Sequence, residues 1–227
     1  MISHISRSFP ADPLPSFHVE QRLFVDTSSL LPNADTSLRR YTHLLNLSHS
    51  THKTYIGTSV PRDRSRPAQL DALELSIITV PEASLESFTE LLVHKLQPQW
   101  SHRQSLTLKN GTSLALQNGD WTIRIGDLRM SNRSTQGAGS LRGMLVEASY
   151  LAGSSSDNDA DGKADEIMLR SFLDTLLRGT GAQIEGARVM FRRTRPAWRG
   201  QDGNESDSTP DWALASLYMD VLRGSRG

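Results

Sequence analysis

The stretch from Tyr41 to Val60, YTHLLNLSHSTHKTYIGTSV, decides the fold class. Tyr41, His43, Leu45 and Leu47 alternate along its first half, the period of a half-buried strand and not of a helix. The polar run from Ser48 to Lys53 breaks the pattern, and TYIGTSV restores it, so the stretch reads as a hairpin. The same signal recurs on both sides. Upstream, FHVEQRLFV sets Phe17, Val19, Leu23 and Val25 on one side of a first strand. Downstream, residues 61–70, PRDRSRPAQL, carry prolines and arginines that fit an exposed loop, and ALELSIITV follows as a further strand.

The next segments mix helices with strands. Thr79 to Glu82 has capping-box spacing with Pro81 just inside, predicting a helix that buries Leu85, Phe88, Leu92 and Leu96, exposes Glu86, Glu90 and His94, and stops at Pro98. In SLTLKNGTSLAL, Asn110 and Gly111 predict a tight hairpin, because both tolerate positive φ. A second turn at Asn118 and Gly119 leads to DWTIRIGDLRM, where Trp121, Ile123 and Ile125 share a face and Leu128 and Met130 fall out of phase by one. That slip predicts a bulge at Gly126 and Asp127. LRGMLVEASY is a strand, and after the acidic tract a helix presents Met168, Leu169, Phe172, Leu173 and Leu176 to the core and ends at Gly179. In that helix Arg170, Asp174 and Arg178 line the wet side. ARVMFRR reads as another strand, and Asp211 opens a terminal helix, DWALASLYMDVLRG. The expected architecture is mainly β with helices, an antiparallel barrel of about eight or nine strands flanked by two or three helices. It forms one domain over residues 1–227, with a flexible or truncated start at 1–16, an acidic loop at 152–164 and a polar linker at 195–208.

Composition narrows the function classes. Hydrophobic residues make up 37% and charged residues 22%, with a mean hydropathy of -0.43, which suits a globular chain with sizeable polar loops. Lys plus Arg and Asp plus Glu both total 25, so no global field draws the chain to nucleic acid or anionic lipid. The absence of cysteine removes disulfides, thiolate catalysis and Cys-based metal sites, and fits the interior of the cell. No signal-peptide pattern and no apolar run of roughly 18 residues is present. The N-x-S/T matches at Asn46, Asn110, Asn132 and Asn204 therefore read as chance.

Three constellations bear on chemistry. Asp157, Asp159, Asp161, Gly162 and Asp165 have the spacing of the first nine positions of a calcium loop, but Met168 stands where the bidentate Glu belongs, so the tract reads as a solvated loop feeding a helix. His43, His49 and His52 are spread by strand alternation and a turn, which fits strand and turn positions and not a metal site. FRRTRPAWRG gathers Arg192, Arg193, Arg195 and Arg199 around Trp198, yet the acids from Asp202 to Asp207 offset it, so no strong nucleic-acid binding is expected. No nucleophile elbow, phosphate loop or dinucleotide fingerprint occurs, and the expectation is no enzyme, no catalytic residue, no metal and no cofactor. On the terminal helix, Leu214, Leu217, Tyr218 and Val221 form one apolar stripe. Trp212, Met219 and Leu222 widen it, leaving Ser216, Asp220 and Arg223 as the polar side. The wider flank is expected to bind a partner, the alternative being a cover of residues 195–208 over Trp212.

The ordered blocks VEQRLFVDTSSLLPN, RRYTHLLNLSHS, TYIGTSV, ITVPEASLESFTELLVHKLQPQW, NGDWTIRIGDLRM, LRGMLVEASY, RSFLDTLLRGTGA and WALASLYMDVLRG resemble the Mediator subunit 20 family in its filamentous-fungal form. The resemblance runs from about Val19 to Gly224 and departs at the Pro-rich start and at the acidic insertion. It implies a helix-flanked β-barrel in the nucleus that pairs with Mediator subunit 18, is tethered to the head module through subunit 8, and supports RNA polymerase II initiation. A small-ligand barrel or barrel enzyme is the rival reading; it needs inward polar residues where these strands supply Leu, Ile, Val and Phe.

Overall fold

A computed structural model describes residues 1–27, 40–50, 53–59, 75–97, 99–131, 139–151, 162–181, 187–192 and 211–223. Among them are seven strands, β1 (Ala11–Asp26), β2 (Tyr41–Leu47), β3 (Lys53–Ser59), β4 (Leu75–Pro81), β5 (Trp100–Leu116), β6 (Trp121–Ser131) and β7 (Ser140–Tyr150). The four α-helices are α1 (Ile2–Ser8), α2 (Leu85–Glu90), α3 (Gly162–Leu177) and α4 (Trp212–Leu222). The strands form one sheet in the order β4-β3-β2-β1-β5-β6-β7. The α+β class therefore holds, but the sheet is open, with β4 and β7 at its edges, and the expected barrel does not close. The expected strand ARVMFRR is also missing, since residues 187–192 take no regular structure. Phe191 lies instead under the Arg170 guanidinium, 4.9 Å from the ring centre. No helix of the described residues is long and apolar enough to cross a membrane.

Two compact units divide the chain: Met1–His18, Leu108–Leu128 and Leu141–Arg193 make the first, Val19–Thr107, Arg129–Ser140 and Thr194–Gly227 the second. In the first unit, Trp121, Ile123 and Ile125 bury the same face of β6, as their alternation requires, together with Ile5, Leu114, Leu116 and Leu176. Trp121 stacks on Phe172 with ring centres 3.8 Å apart. Leu169, Phe172 and Leu173 of α3 pack on this core, whereas Met168, expected beside them, is exposed. Gly179, in the left-handed region with φ +80°, follows the last turn of α3 as expected. Residues 1–16, expected to be flexible or truncated, hold α1 and the start of β1, with Ile5 fully buried.

The Asn110–Gly111 hairpin does not form. A type I′ turn needs positive φ at two successive residues, and here only Asn110 has it, at 56°, so β5 runs on from Trp100 to Leu116. Gly111 is small for a different reason: a Cβ there would meet the Phe17 ring and, at 2.7 Å, Leu108. The true turn lies at Gln117–Gly119, where Gln117, Asn118 and Gly119 all take positive φ. In β6 burial does shift phase after Ile125, as the slip predicted. Gly126 nevertheless keeps an ordinary φ, and what requires glycine is Leu108, 2.6 Å from where a Cβ would stand.

In the second unit β2 is covered on both faces, whereas Ser76 and Ile78 of the edge strand β4 are exposed. Register pairs Leu23 with His43 and His43 with Gly57, so these residues share a face, and Phe24, Leu44 and Ile56 share the other. Burial accordingly leaves no wet side on β2 beyond Tyr41. Phe24, Leu44 and Ile56 pack against Leu85 of α2 and Leu92 just beyond it, each such side chain contributing about 1.5–3 kcal/mol. The expected capping box is absent because Thr79 stays paired with Tyr55 and Glu82 accepts from the Asn46 amide at 2.7 Å. β4 therefore continues to Pro81, a 3-10 turn fills Glu82–Ser84, and α2 starts at Leu85 and passes into a π-turn over Leu91–Lys95. Arg22 on this face binds Glu86 at 2.5 Å and Thr89 at 2.8 Å. The Glu86 contact is the main reason that its guanidinium is held still more firmly protonated and the Glu86 carboxyl is pulled below its ordinary range.

Candidate functional site

The other face of β2, β3 and β4 in this unit is covered by α4. The helix starts where the sequence placed it: the Asp211 carboxylate accepts from the Leu214 amide at 2.8 Å, satisfying one of the donors a helix start leaves open. The Asp211 amide in turn donates to the Tyr55 hydroxyl at 3.2 Å, which also bonds Ser50 at 2.7 Å. Trp212 meets the Tyr55 ring edge-on, with centres 6.2 Å apart.

Two overlapping apolar stripes are possible in WALASLYMDVL, and the structure selects the one not expected. Ala215, Tyr218, Met219 and Leu222, at i, i+3, i+4 and i+7, are buried, while Leu214, Leu217 and Val221 are only half-buried. The selector is Gly57. It offers no side chain on this face, and the Met219 thioether occupies the space where its Cβ would be. Met219 and Leu222, expected on an outward flank, are thus core residues of this chain, while Trp212 is 43% exposed. Ser216 and Asp220, expected on the wet side, are buried as well.

The sheet face that carries Gly57 also carries Gln21 and His43. Gln21 interrupts the apolar series Phe17, Val19, Leu23 of β1, and His43 interrupts Tyr41, Leu45, Leu47 of β2. Both are fully buried, and the Gln21 Nε2 lies 2.9 Å from His43 Nδ1. An amide nitrogen only donates, so Nδ1 accepts and the ring proton sits on Nε2. Burial, and secondarily the positive charge of Arg223, pushes the His43 pKa down to about 4, so the imidazole is neutral near pH 7. The sequence signal for this cluster was visible, one polar residue within each of two adjacent apolar stripes. Which stripe of α4 would cover it was not, because that choice depended on the sheet beneath the helix.

The other candidate groups lie apart. His49 is next to Tyr218, with ring centres 5.9 Å apart, and His52 falls outside the described residues. Among the described residues no three His, Asp or Glu side chains stand close enough to hold a metal ion. Asp157, Asp159 and Asp161 of the calcium-like spacing, the loop at 152–161, Arg193 to Arg199 and the linker at 195–208 are outside the described residues, whereas Asp165 lies in the first turn of α3. A neutral, sealed histidine paired with an amide offers no nucleophile or base to solvent.

No curated protein matches this chain. Among solved structures, the PH1819 protein of Pyrococcus horikoshii OT3 aligns with a TM-score of 0.40 and 11% identity, over 80% of this chain and 84% of that one. The Schizosaccharomyces pombe Mediator head module aligns with a TM-score of 0.39 and 14% identity, over 78% of this chain and 86% of that one. The family model described as "TATA-binding related factor (TRF) of subunit 20 of Mediator complex" matches residues 8–223, from the end of α1 past the end of α4, and the chain belongs to that family.

Proposed function

We propose that this chain is a non-catalytic subunit of the Mediator head module that pairs with subunit 18, is tethered through subunit 8, and acts in the nucleus in support of RNA polymerase II initiation. The observation that carries the reading is the family match across residues 8–223. Mediator is a transcription complex, and a member of this family is a component of it and not an isolated enzyme. The site geometry supports the same role: helices pack on both faces of β2, and the Gln21–His43 pair is sealed from solvent. The rival small-ligand reading needs a closed barrel with an open mouth, and the sheet is open. Of the three residues expected at the partner surface, we assign the contact to Trp212, with Met219 and Leu222 acting beneath it by seating α4 on the sheet. Co-expression with subunits 18 and 8 from the same source tests the role: a stable complex on size exclusion is the expected result, and a chain that elutes alone refutes it.

A further inference from the structure

β7 is an eleven-residue strand at an edge of the sheet, paired among the described residues only with β6. Soluble proteins usually guard such an edge by keeping it short, bulging it, or placing Lys or Pro on it. SLRGMLVEASY carries neither Lys nor Pro. Its one acid, Glu147, is held by Arg124 at 2.5 Å, and the strand's other charge, Arg142, has no ion-pair partner among the described residues. Every residue from Ser140 to Met144 is exposed, with Leu141 at 62% and Met144 at 45%. Successive residues of a strand point to opposite faces, so this half is bare on both. Further along, Val146 and Ala148 pack on the Trp121 core, so the strand is anchored at one end and open at the other.

We propose that the Leu141–Val146 edge of β7 takes up an extended segment of another subunit as an added strand. The backbone edge selects the occupant's conformation, because a row of main-chain donors and acceptors is completed by another strand. Charge selects its identity. If the bare segment Ser140–Met144 paired antiparallel with its own copy, the pair would centre on Arg142 and set two like charges directly opposite, which is destabilising. A foreign strand with Asp or Glu opposite Arg142 and apolar side chains beside Leu141 and Met144 has no such conflict. The inference rests on the reading of this chain as a subunit of an assembly, and deepens it by naming the edge used.

The test is hydrogen exchange on the full chain, alone and in complex with subunits 18 and 8, with the exposed-site variants Arg142→Glu and Met144→Lys. Slowed exchange of the 141–146 amides on complex formation, with each variant weakening the complex by about tenfold, is the expected result. A complex that forms with these amides exchanging as in the free chain, and with both variants binding like the parent, overturns the edge assignment while leaving the subunit reading intact. Amides already protected in the free monomer would mean that this chain fills its own edge, and a dimer abolished by Met144→Lys would mean that a second copy does; either overturns the proposal. If no complex forms at all, the subunit reading fails and this inference fails with it.

Discussion

Acidification should loosen the second unit through His43. The folded pKa of this imidazole, about 4, lies below its ordinary value of 6.5. Between those values the unfolded chain binds a proton that the folded chain excludes, so stability rises with pH across the window and is lost as pH falls through it, levelling off below the folded value. Between about pH 7 and about pH 5 the two pKa values give a loss of about 2 kcal/mol from this one group. Two features of the structure set that figure. Full burial withholds water from the imidazolium, and Nδ1, which accepts from the Gln21 amide, would on protonation present a second donor to it. Urea unfolding of the parent and of His43→Gln at both pH values isolates the effect, because carboxylates common to both chains cancel in the difference. The parent should lose about 2 kcal/mol more than the variant on acidification. Equal losses would show that His43 is solvated or protonated in the folded chain, and the account of the cluster would fall.

Gly126→Ala should destabilise the first unit by about 1–3 kcal/mol through collision with Leu108, and in a Leu108→Ala background most of that penalty should vanish in thermal melts. Met219→Ala should cost about 2–5 kcal/mol of stability because the side chain is fully buried against Gly57. Trp212→Ala, at a half-exposed position, should spare the fold and weaken capture of subunit 18 by about 1 kcal/mol or more; unfolding of the free chain by this change would return Trp212 to the core. Asp211→Ala should lower stability by about 1 kcal/mol in chemical denaturation, with Asp211→Asn retaining most of it.

The strands were legible because each carries its own period. Val19, Leu23, His43, Leu45 and Tyr55 lie on the face that alternation assigns them, and Trp121, Ile123 and Ile125 likewise. Closure was not legible, because it depends on pairing between distant edges and on a strand over residues 187–192 that does not form. Local signals failed where tertiary contacts outbid them. The capping box at Thr79 lost to strand pairing with Tyr55, and Asn110–Gly111 spends its conformational freedom inside a strand and not at a turn. The candidate site was half legible: Asp211 was found from its cap chemistry, whereas the buried stripe of α4 was decided by an absent side chain at Gly57, which no periodicity on α4 itself encodes.

The left-handed residue within β5 has a bearing on how such a chain can change. Leu106 and Leu108 are buried before Asn110, and after two exposed positions Gly111 and Ser113 are buried, so the strand exchanges the side it presents part-way along. One extra residue is stored there, and the rest of β5 is written in the reading frame that this residue sets. Replacing Asn110 alters only the ease of one backbone rotation, and deleting it would bring Leu108 and Gly111 to the two-residue spacing of an unbroken strand, so that both keep the side they now present. Loss of one residue at this position is therefore a length change that the strand can absorb, whereas a one-residue insertion or deletion elsewhere in β5 turns the residues beyond it to the other side.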